Sequence, residues 1–274
     1  MNECYHTKYI LNNRIESCKD FNEEYLFRGI SPYEVLKLIK GVPLFFEDHY
    51  VRLKNSVLSK DLEFCLDDKL FKEHISTLAK INKVPSGNIK LLLNFYQSEE
   101  NCLVYFTRPK YPTNEQFNNG VRLSLYNVTR ENPNAKIVNN SLNTLALQEK
   151  SRRGVYDILL MNNEGNITEG SMSNVFFIQG SDIYTPPLKS VLPGITRKHI
   201  ILSCEKLGYS VIEKEIHQNV LKEFDSVFIT GTSTNVLPVN AIENISLDPK
   251  NTTLRLVMRE FENTINDYVL NFSS

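Results

Sequence analysis

Asn166-Ile167-Thr168-Glu169-Gly170-Ser171-Met172-Ser173-Asn174-Val175-Phe176-Phe177 is the stretch on which the reading of this chain turns. Ahead of it, Tyr156-Asp157-Ile158-Leu159-Leu160-Met161 has the apolar run of a buried strand. Asn162-Asn163-Glu164-Gly165 then predicts a hairpin turn, because Asn and Gly tolerate positive φ. From Asn174 to Ile178 an apolar strand resumes. Glu169 is therefore expected between strands, followed by Gly170 and three small or flexible residues. On this stretch alone a solvated loop carboxylate is the better reading, since Glu is rarely fully buried unless paired. A buried Glu169 would need a cation from elsewhere in the chain.

Working outward, the preceding half predicts strands over 3–18, 33–39 and 42–46, then two amphipathic helices over 47–58 and 67–82. Strands over 88–96 and 101–107 follow. The segment 109–120, with two prolines, three asparagines and little apolar content, reads as a linker between domains. Beyond it come a strand at 121–128, a helix at 139–153 and the opening hairpin. A helix at 195–207, strands at 210–216 and 226–230, and a long amphipathic helix at 251–270 complete the chain. Two α+β halves result, the first strand-rich with a helix pair, the second a larger sheet.

Bulk composition narrows the function classes. With 274 residues, 41% hydrophobic and 23% charged, the chain has the make-up of an ordinary globular protein. A formal net charge of −1 gives no basic field for nucleic acid. No apolar run approaches the roughly 18 residues of a membrane span, and the N-terminal residues have no signal-peptide pattern. The five cysteines, Cys4, Cys18, Cys65, Cys102 and Cys204, are scattered without a C-x-x-C pair. Free thiols in a reducing compartment, hence the cytoplasm, are the expectation. The five histidines form no ligand pair, so no metal is expected.

Two turns have the chemistry of anion sites. Pro193-Gly194-Ile195-Thr196 opens a helix, whose first N–H groups lack intrahelical acceptors and carry the positive dipole end. Gly231-Thr232-Ser233-Thr234 follows a strand and offers hydroxyls on a backbone that a ligand can approach. Taken singly, each is better explained as ordinary capping or turn chemistry. Together they would suit one phosphate, with Arg52 as a charged clamp.

In family order along the chain, these blocks resemble the class IV, or fold-type IV, pyridoxal-phosphate enzymes. That group holds branched-chain aminotransferases, D-amino-acid aminotransferases and aminodeoxychorismate lyases. Ile167-Thr168-Glu169-Gly170-Ser171-Met172-Ser173-Asn174-Val175-Phe176 is similar to the family's T-E-G-x-x-x-N-[VL]-F block, which sets Glu169 on the pyridine nitrogen. Lys136-Ile137-Val138-Asn139 is similar to the K-x-x-N that carries the Schiff-base lysine. Leu192-Pro193-Gly194-Ile195-Thr196-Arg197 and Thr230-Gly231-Thr232-Ser233 resemble the two phosphate turns. His49-Tyr50-Val51-Arg52-Leu53 looks like the helix whose arginine grips the phosphate, and Gly29-Ile30-Ser31-Pro32-Tyr33-Glu34 like the strand that lines the substrate side.

The resemblance implies a two-domain α+β fold: a small α/β domain over 1–112, a linker over 113–120, and a larger β-barrel-like cofactor domain over 121–274. It implies pyridoxal 5′-phosphate as cofactor, Lys136 as the catalytic residue, and cofactor contacts from Arg52, Lys136, Glu169, Ser171, Gly194, Ile195, Thr196, Thr232 and Ser233. Tyr33 and Arg108 fall on the substrate side. The partners implied are a small amino acid, a 2-oxo acid and a second copy of the chain. Asn235 stands where the family has an acidic residue, and Pro32 and Ile30 are unusual for the first-domain strand. The R-x-H pair of D-amino-acid aminotransferases is missing after Arg108. Transamination is the leading reading. Aminodeoxychorismate lyase, releasing 4-aminobenzoate and pyruvate, is the second, and a non-catalytic binding protein on the same fold the third.

Overall fold

The computed structural model describes residues 3–130 and 133–272. The chain divides into two compact units, Met1–Lys110 with Ala135–Val138 and Tyr268–Ser274, and Tyr111–Asn134 with Asn139–Asp267.

The first unit is a six-stranded antiparallel sheet with two helices. Its strands are β1 (Cys4–Leu11), β2 (Arg14–Ser17), β3 (Tyr33–Ile39), β4 (Val42–Pro43), β5 (Gly87–Tyr96) and β6 (Glu99–Thr107), in the order β2-β1-β6-β5-β3-β4. Helices α1 (Phe46–Leu58) and α2 (Asp68–Asn82) lie between β4 and β5 in sequence. Side chains alternate across a strand, so the sheet has two apolar faces. Leu36, Leu38, Ile89, Leu91, Leu93, Val104 and Phe106 pack with Leu53 and Val57 of α1 and Phe71, Ile75 and Leu78 of α2. On the other face Leu92, Leu103 and Tyr105 pack with Tyr9, Phe21 and Leu26, and Tyr33 and Val138 flank them.

One expectation about the cysteines is overturned. Cys4 and Cys18 are bonded as a disulfide, their Cα atoms 5.7 Å apart. The β1–β2 hairpin turns the chain back on itself, so residues 14 apart in sequence meet at its open end. Cys65, Cys102 and Cys204 are free thiols.

The second unit starts inside the segment read as a linker. Residues 113–120 hold a short helix, α3 (Asn114–Asn119), which begins on a capping box between Thr113 and Gln116. Its strands are β7 (Val121–Asn127), β8 (Asp157–Met161), β9 (Asn166–Gly170), β10 (Asn174–Gln179), β11 (Asp182–Thr185), β12 (Val211–Glu213), β13 (Ile216–His217), β14 (Ser226–Gly231), β15 (Asn235–Ile242) and β16 (Ile245–Ser246). The path through the sheet is β12-β11-β10-β14-β15-β7-β8-β9-β13, with β16 on β15. Helix α4 (Asn140–Arg153) connects the parallel pair β7–β8 and seats Leu142 and Ala146 on Ile158 and Leu160. Helix α5 (Ile195–Lys206) packs on β14 and β12. Helix α6 (Thr252–Asn271) closes the chain, burying Leu254, Val257, Phe261 and Ile265. Among the described residues no helix is long and apolar enough to cross a membrane.

Candidate active site

In the second unit Glu169 is inside strand β9, not after it, and is only 2% exposed. The cation that such burial demands is Arg130. Its Nε donates to Glu169 Oε1 at 2.6 Å, and its Nη2 donates to the Ser171 carbonyl at 3.1 Å. The Leu192 N–H donates to Glu169 Oε2 at 3.1 Å. A carboxylate accepting one charge-assisted and one backbone bond is fixed in orientation. Immediately beyond it the chain turns tightly: the Gly170 N–H donates to the Ser173 carbonyl at 2.7 Å. A Cβ on Gly170 would strike Ser173 Oγ and come within 2.8 Å of Asp157 Oδ2, which is why glycine follows Glu169. The Ser171 hydroxyl donates to Asp157 Oδ1, Ser173 Oγ to Asp157 Oδ2 at 3.1 Å, and Lys150 Nζ lies 3.5 Å from Asp157.

Three separate blocks of sequence meet around Asn174. Its backbone pairs with Thr230 in the β10–β14 ladder, and its Nδ2 donates to the Leu192 carbonyl at 2.9 Å. A Cβ on Gly194 would strike Asn174 Oδ1, so a larger residue here would have to displace the Asn174 side chain. An ideal Cβ on Gly231 would sit 3.3 Å from the Met172 carbonyl. Pro193-Gly194 and Gly231-Thr232-Ser233 are thereby brought to the loop that follows Glu169. Gly194 is the N-cap of α5 and offers no side-chain cap, which leaves the first-turn N–H groups of Ile195 and Thr196 for another acceptor. Thr230 Oγ1 is buried with no hydrogen-bond partner among the described residues. Asn235 has φ 51°, in the left-handed region that Asn tolerates better than most residues.

In the first unit the expected substrate strand carries two opposite roles on adjacent residues. Glu34 points under α1 and is fully buried. Arg52 Nε and Nη2 donate to its two oxygens, each at 2.6 Å, and His49 Nδ1 lies 2.7 Å from Oε2. Burial works to raise the Glu34 pKa, but the Arg52 charge and the bonds from Arg52 and His49 overcome it and hold it at about 2. Burial lowers the pKa of His49. An ionised Glu34 only accepts, so His49 Nδ1 carries the hydrogen in this contact.

Tyr33 lies on the other face of β3. Residues 135–138 form a strap beside it: the Tyr33 N–H donates to the Lys136 carbonyl, the Val138 N–H to the Ser31 carbonyl, both at 3.0 Å, and Pro32 bridges Ile137. The Lys136 N–H donates to Ser56 Oγ of α1 at 3.1 Å. Lys136 Nζ stands 4.8 Å from the centre of the Tyr33 ring. Arg108 is exposed and rests over Tyr5 at 5.3 Å.

Thus Lys136, Tyr33 and Arg52 belong to one unit, and Glu169, Ser171, Gly194, Ile195, Thr196, Thr232 and Ser233 to the other. Arg130 was not anticipated. Its only signal was a lone arginine in a polar loop six residues before Lys136. The Glu34–Arg52–His49 cluster was also missed, although H-x-x-R puts both helical residues on one face and Glu34 has the parity of Leu36 and Leu38.

With this geometry in view, comparison with known proteins is decisive for the family. The model of amino-transferase class IV matches residues 31–242. The chain belongs to the class IV aminotransferase family. This class IV enzyme is 25% identical to D-alanine aminotransferase of Bacillus licheniformis over 257 residues, 85% of this chain and 86% of that one. It is 24% identical to aminodeoxychorismate lyase of Bacillus subtilis, strain 168, over 82% of each chain. The crystal structure of the Escherichia coli branched-chain amino acid aminotransferase superposes with a TM-score of 0.87 over 95% of both chains at 21% identity. The fold is therefore fold-type IV, an α+β architecture of two sheets with helices.

Proposed function

We propose that this class IV enzyme is a pyridoxal-phosphate-dependent aminotransferase, moving an amino group between an amino acid and a 2-oxo acid. The observation that carries the reading is the convergence around Asn174, where a held carboxylate, a helix N-terminus and a hydroxyl-rich turn adjoin. That donor set fits pyridoxal 5′-phosphate: Glu169 for the ring nitrogen, and the Ile195 and Thr196 amides with Gly194, Thr232 and Ser233 for the phosphate. Arg52 is assigned as a cation for the same phosphate. When bound, the cofactor supplies an electron sink for a carbanion at the substrate α-carbon.

Lys136 is the residue that would hold the cofactor, and its Nζ would serve as the base that moves the proton off the substrate α-carbon. Arg130 keeps Glu169 aimed, and the Ser171 carbonyl keeps Arg130 in place. Ser171 thus acts on the cofactor indirectly, its hydroxyl being engaged by Asp157. Tyr33 and Arg108 are assigned to the substrate side. A homodimer is the form this family likeness supports.

Adding single L- and D-amino acids to the loaded enzyme should convert the pyridoxal form to the pyridoxamine form stoichiometrically, read by absorbance. No conversion with any donor, together with 4-aminobenzoate and pyruvate released from aminodeoxychorismate, would shift the reading to the lyase. Gly194→Ala should weaken cofactor binding about tenfold, equivalent to about 1.4 kcal/mol, because its Cβ would displace the Asn174 side chain that holds Leu192. Titration of the cofactor-free variant checks this.

A further inference from the structure

We propose that Lys90 is a positioning residue for Lys136, acting through the Tyr33 ring and itself held by Glu3. The inference rests on the assignment of Lys136 as the lysine that carries the cofactor.

Lys90 is a β5 residue only 6% exposed, and a buried lysine needs partners. Glu3 is one: Lys90 Nζ lies 2.7 Å from Glu3 Oε1. Glu3 is itself anchored. Its N–H donates to Glu23 Oε1 at 3.1 Å, its Oε2 accepts from the Tyr105 hydroxyl at 3.1 Å, and the next residue, Cys4, is tied to Cys18. Burial first, and then the Glu3 charge, push the Tyr105 pKa well up, so the phenol stays protonated and keeps donating. The second partner is Tyr33. The Lys90 ammonium stands 4.5 Å from the centre of that ring, and the Lys136 ammonium 4.8 Å from the same centre. One aromatic ring therefore meets two cations, one locked by a carboxylate and the other belonging to the strap.

The face of an aromatic ring attracts a cation, and the attraction depends on where the ring lies. Lys90 cannot shift without breaking its bond to Glu3, so it fixes the ring. The ring in turn limits where the Lys136 amine can rest. Neither Glu3 nor Lys90 reaches the reacting atoms in this scheme; they set the starting position of the amine.

The experiment uses the full-length protein freed of cofactor. Pyridoxal 5′-phosphate is added, borohydride makes the linkage permanent, and the labelled Lys136 peptide is followed by mass spectrometry over time. Lys90→Met should slow labelling of Lys136 about tenfold, Glu3→Gln about threefold, and Lys90→Arg should restore most of the rate. In a Tyr33→Leu background, Lys90→Met should have no further effect. Glu3→Gln, which leaves Lys90 in place, carries the test if Lys90→Met does not fold.

Labelling of Lys90→Met and Glu3→Gln at the wild-type rate would overturn the proposal while leaving the Lys136 assignment intact. So would an equal slowing by Lys90→Met in the Tyr33→Leu background, since the effect would then bypass the ring. A lower melting temperature with unchanged labelling would reduce Lys90 to a packing role. Wild-type protein that takes no label at Lys136 would overturn the Lys136 assignment, and this proposal with it.

Discussion

Lys136→Ala is expected to abolish covalent capture of pyridoxal phosphate and to lower amino transfer by about 10³-fold, the scale of a lost proton-transfer group. The fold should survive. The strap is joined to β3 by backbone bonds at Tyr33 and Val138, and these do not involve the lysine side chain. Lys136 is half-buried, and Nζ meets the Tyr33 ring. Mass spectrometry after borohydride treatment reads the capture, and a coupled assay of 2-oxo acid formation reads the transfer. Retention of more than a tenth of wild-type activity would exclude Lys136 from the role assigned to it.

The second large effect is on stability. Glu34→Gln removes one charge from a fully buried cluster and leaves Arg52 facing a neutral amide. Breaking a buried pair from one side costs about 3–5 kcal/mol, because the remaining desolvated charge loses the carboxylate that faces it. Urea unfolding at neutral pH should show that loss. The acid side gives a second signature. Glu34 is held at about 2, below its usual value of 4.5. A carboxylate whose folded pKa is lowered stabilises the fold fully above the unfolded pKa and loses that contribution as pH falls toward the folded one. Wild type should therefore lose on the order of 3 kcal/mol between about pH 4.5 and pH 2 from this group alone. Glu34→Gln should lack that part of the slope. Parallel pH profiles for the two proteins would show that the pair does not stabilise the fold.

Local pattern carried much of the architecture. The apolar spacing of Leu70, Phe71, Ile75 and Leu78 predicts α2, and the Asn162–Gly165 turn predicts the β8–β9 hairpin, because each depends on neighbours within one or two turns of chain. What local pattern missed was non-local. The Cys4–Cys18 bond depends on how far a hairpin returns past its first residue. The Arg130–Glu169 pair joins residues 39 apart, and nothing around either one names the other. Arg52 was legible as a charged clamp on α1 but not as the partner of Glu34, since that requires knowing which helix covers which parity of β3. A helix at Asn114–Asn119, inside the segment read as a linker, was also missed. Its T-x-x-Q is a helix-start signature, obscured by the asparagines and prolines around it.

The strap has a consequence for recombination between relatives. Residues 135–138 belong to the first unit, although the chain on both sides of them belongs to the second. A chimera joined at 110/111 would thus seat its lysine from one parent on a β3 strand from the other. The backbone bonds that seat the strap on Ser31 and Tyr33 are made by atoms that every parent supplies, whereas the contacts with Ser56 Oγ and the Tyr33 ring come from side chains. The strap therefore travels with the downstream gene segment and β3 with the upstream one, so a hybrid would inherit Lys136 and Tyr33 independently.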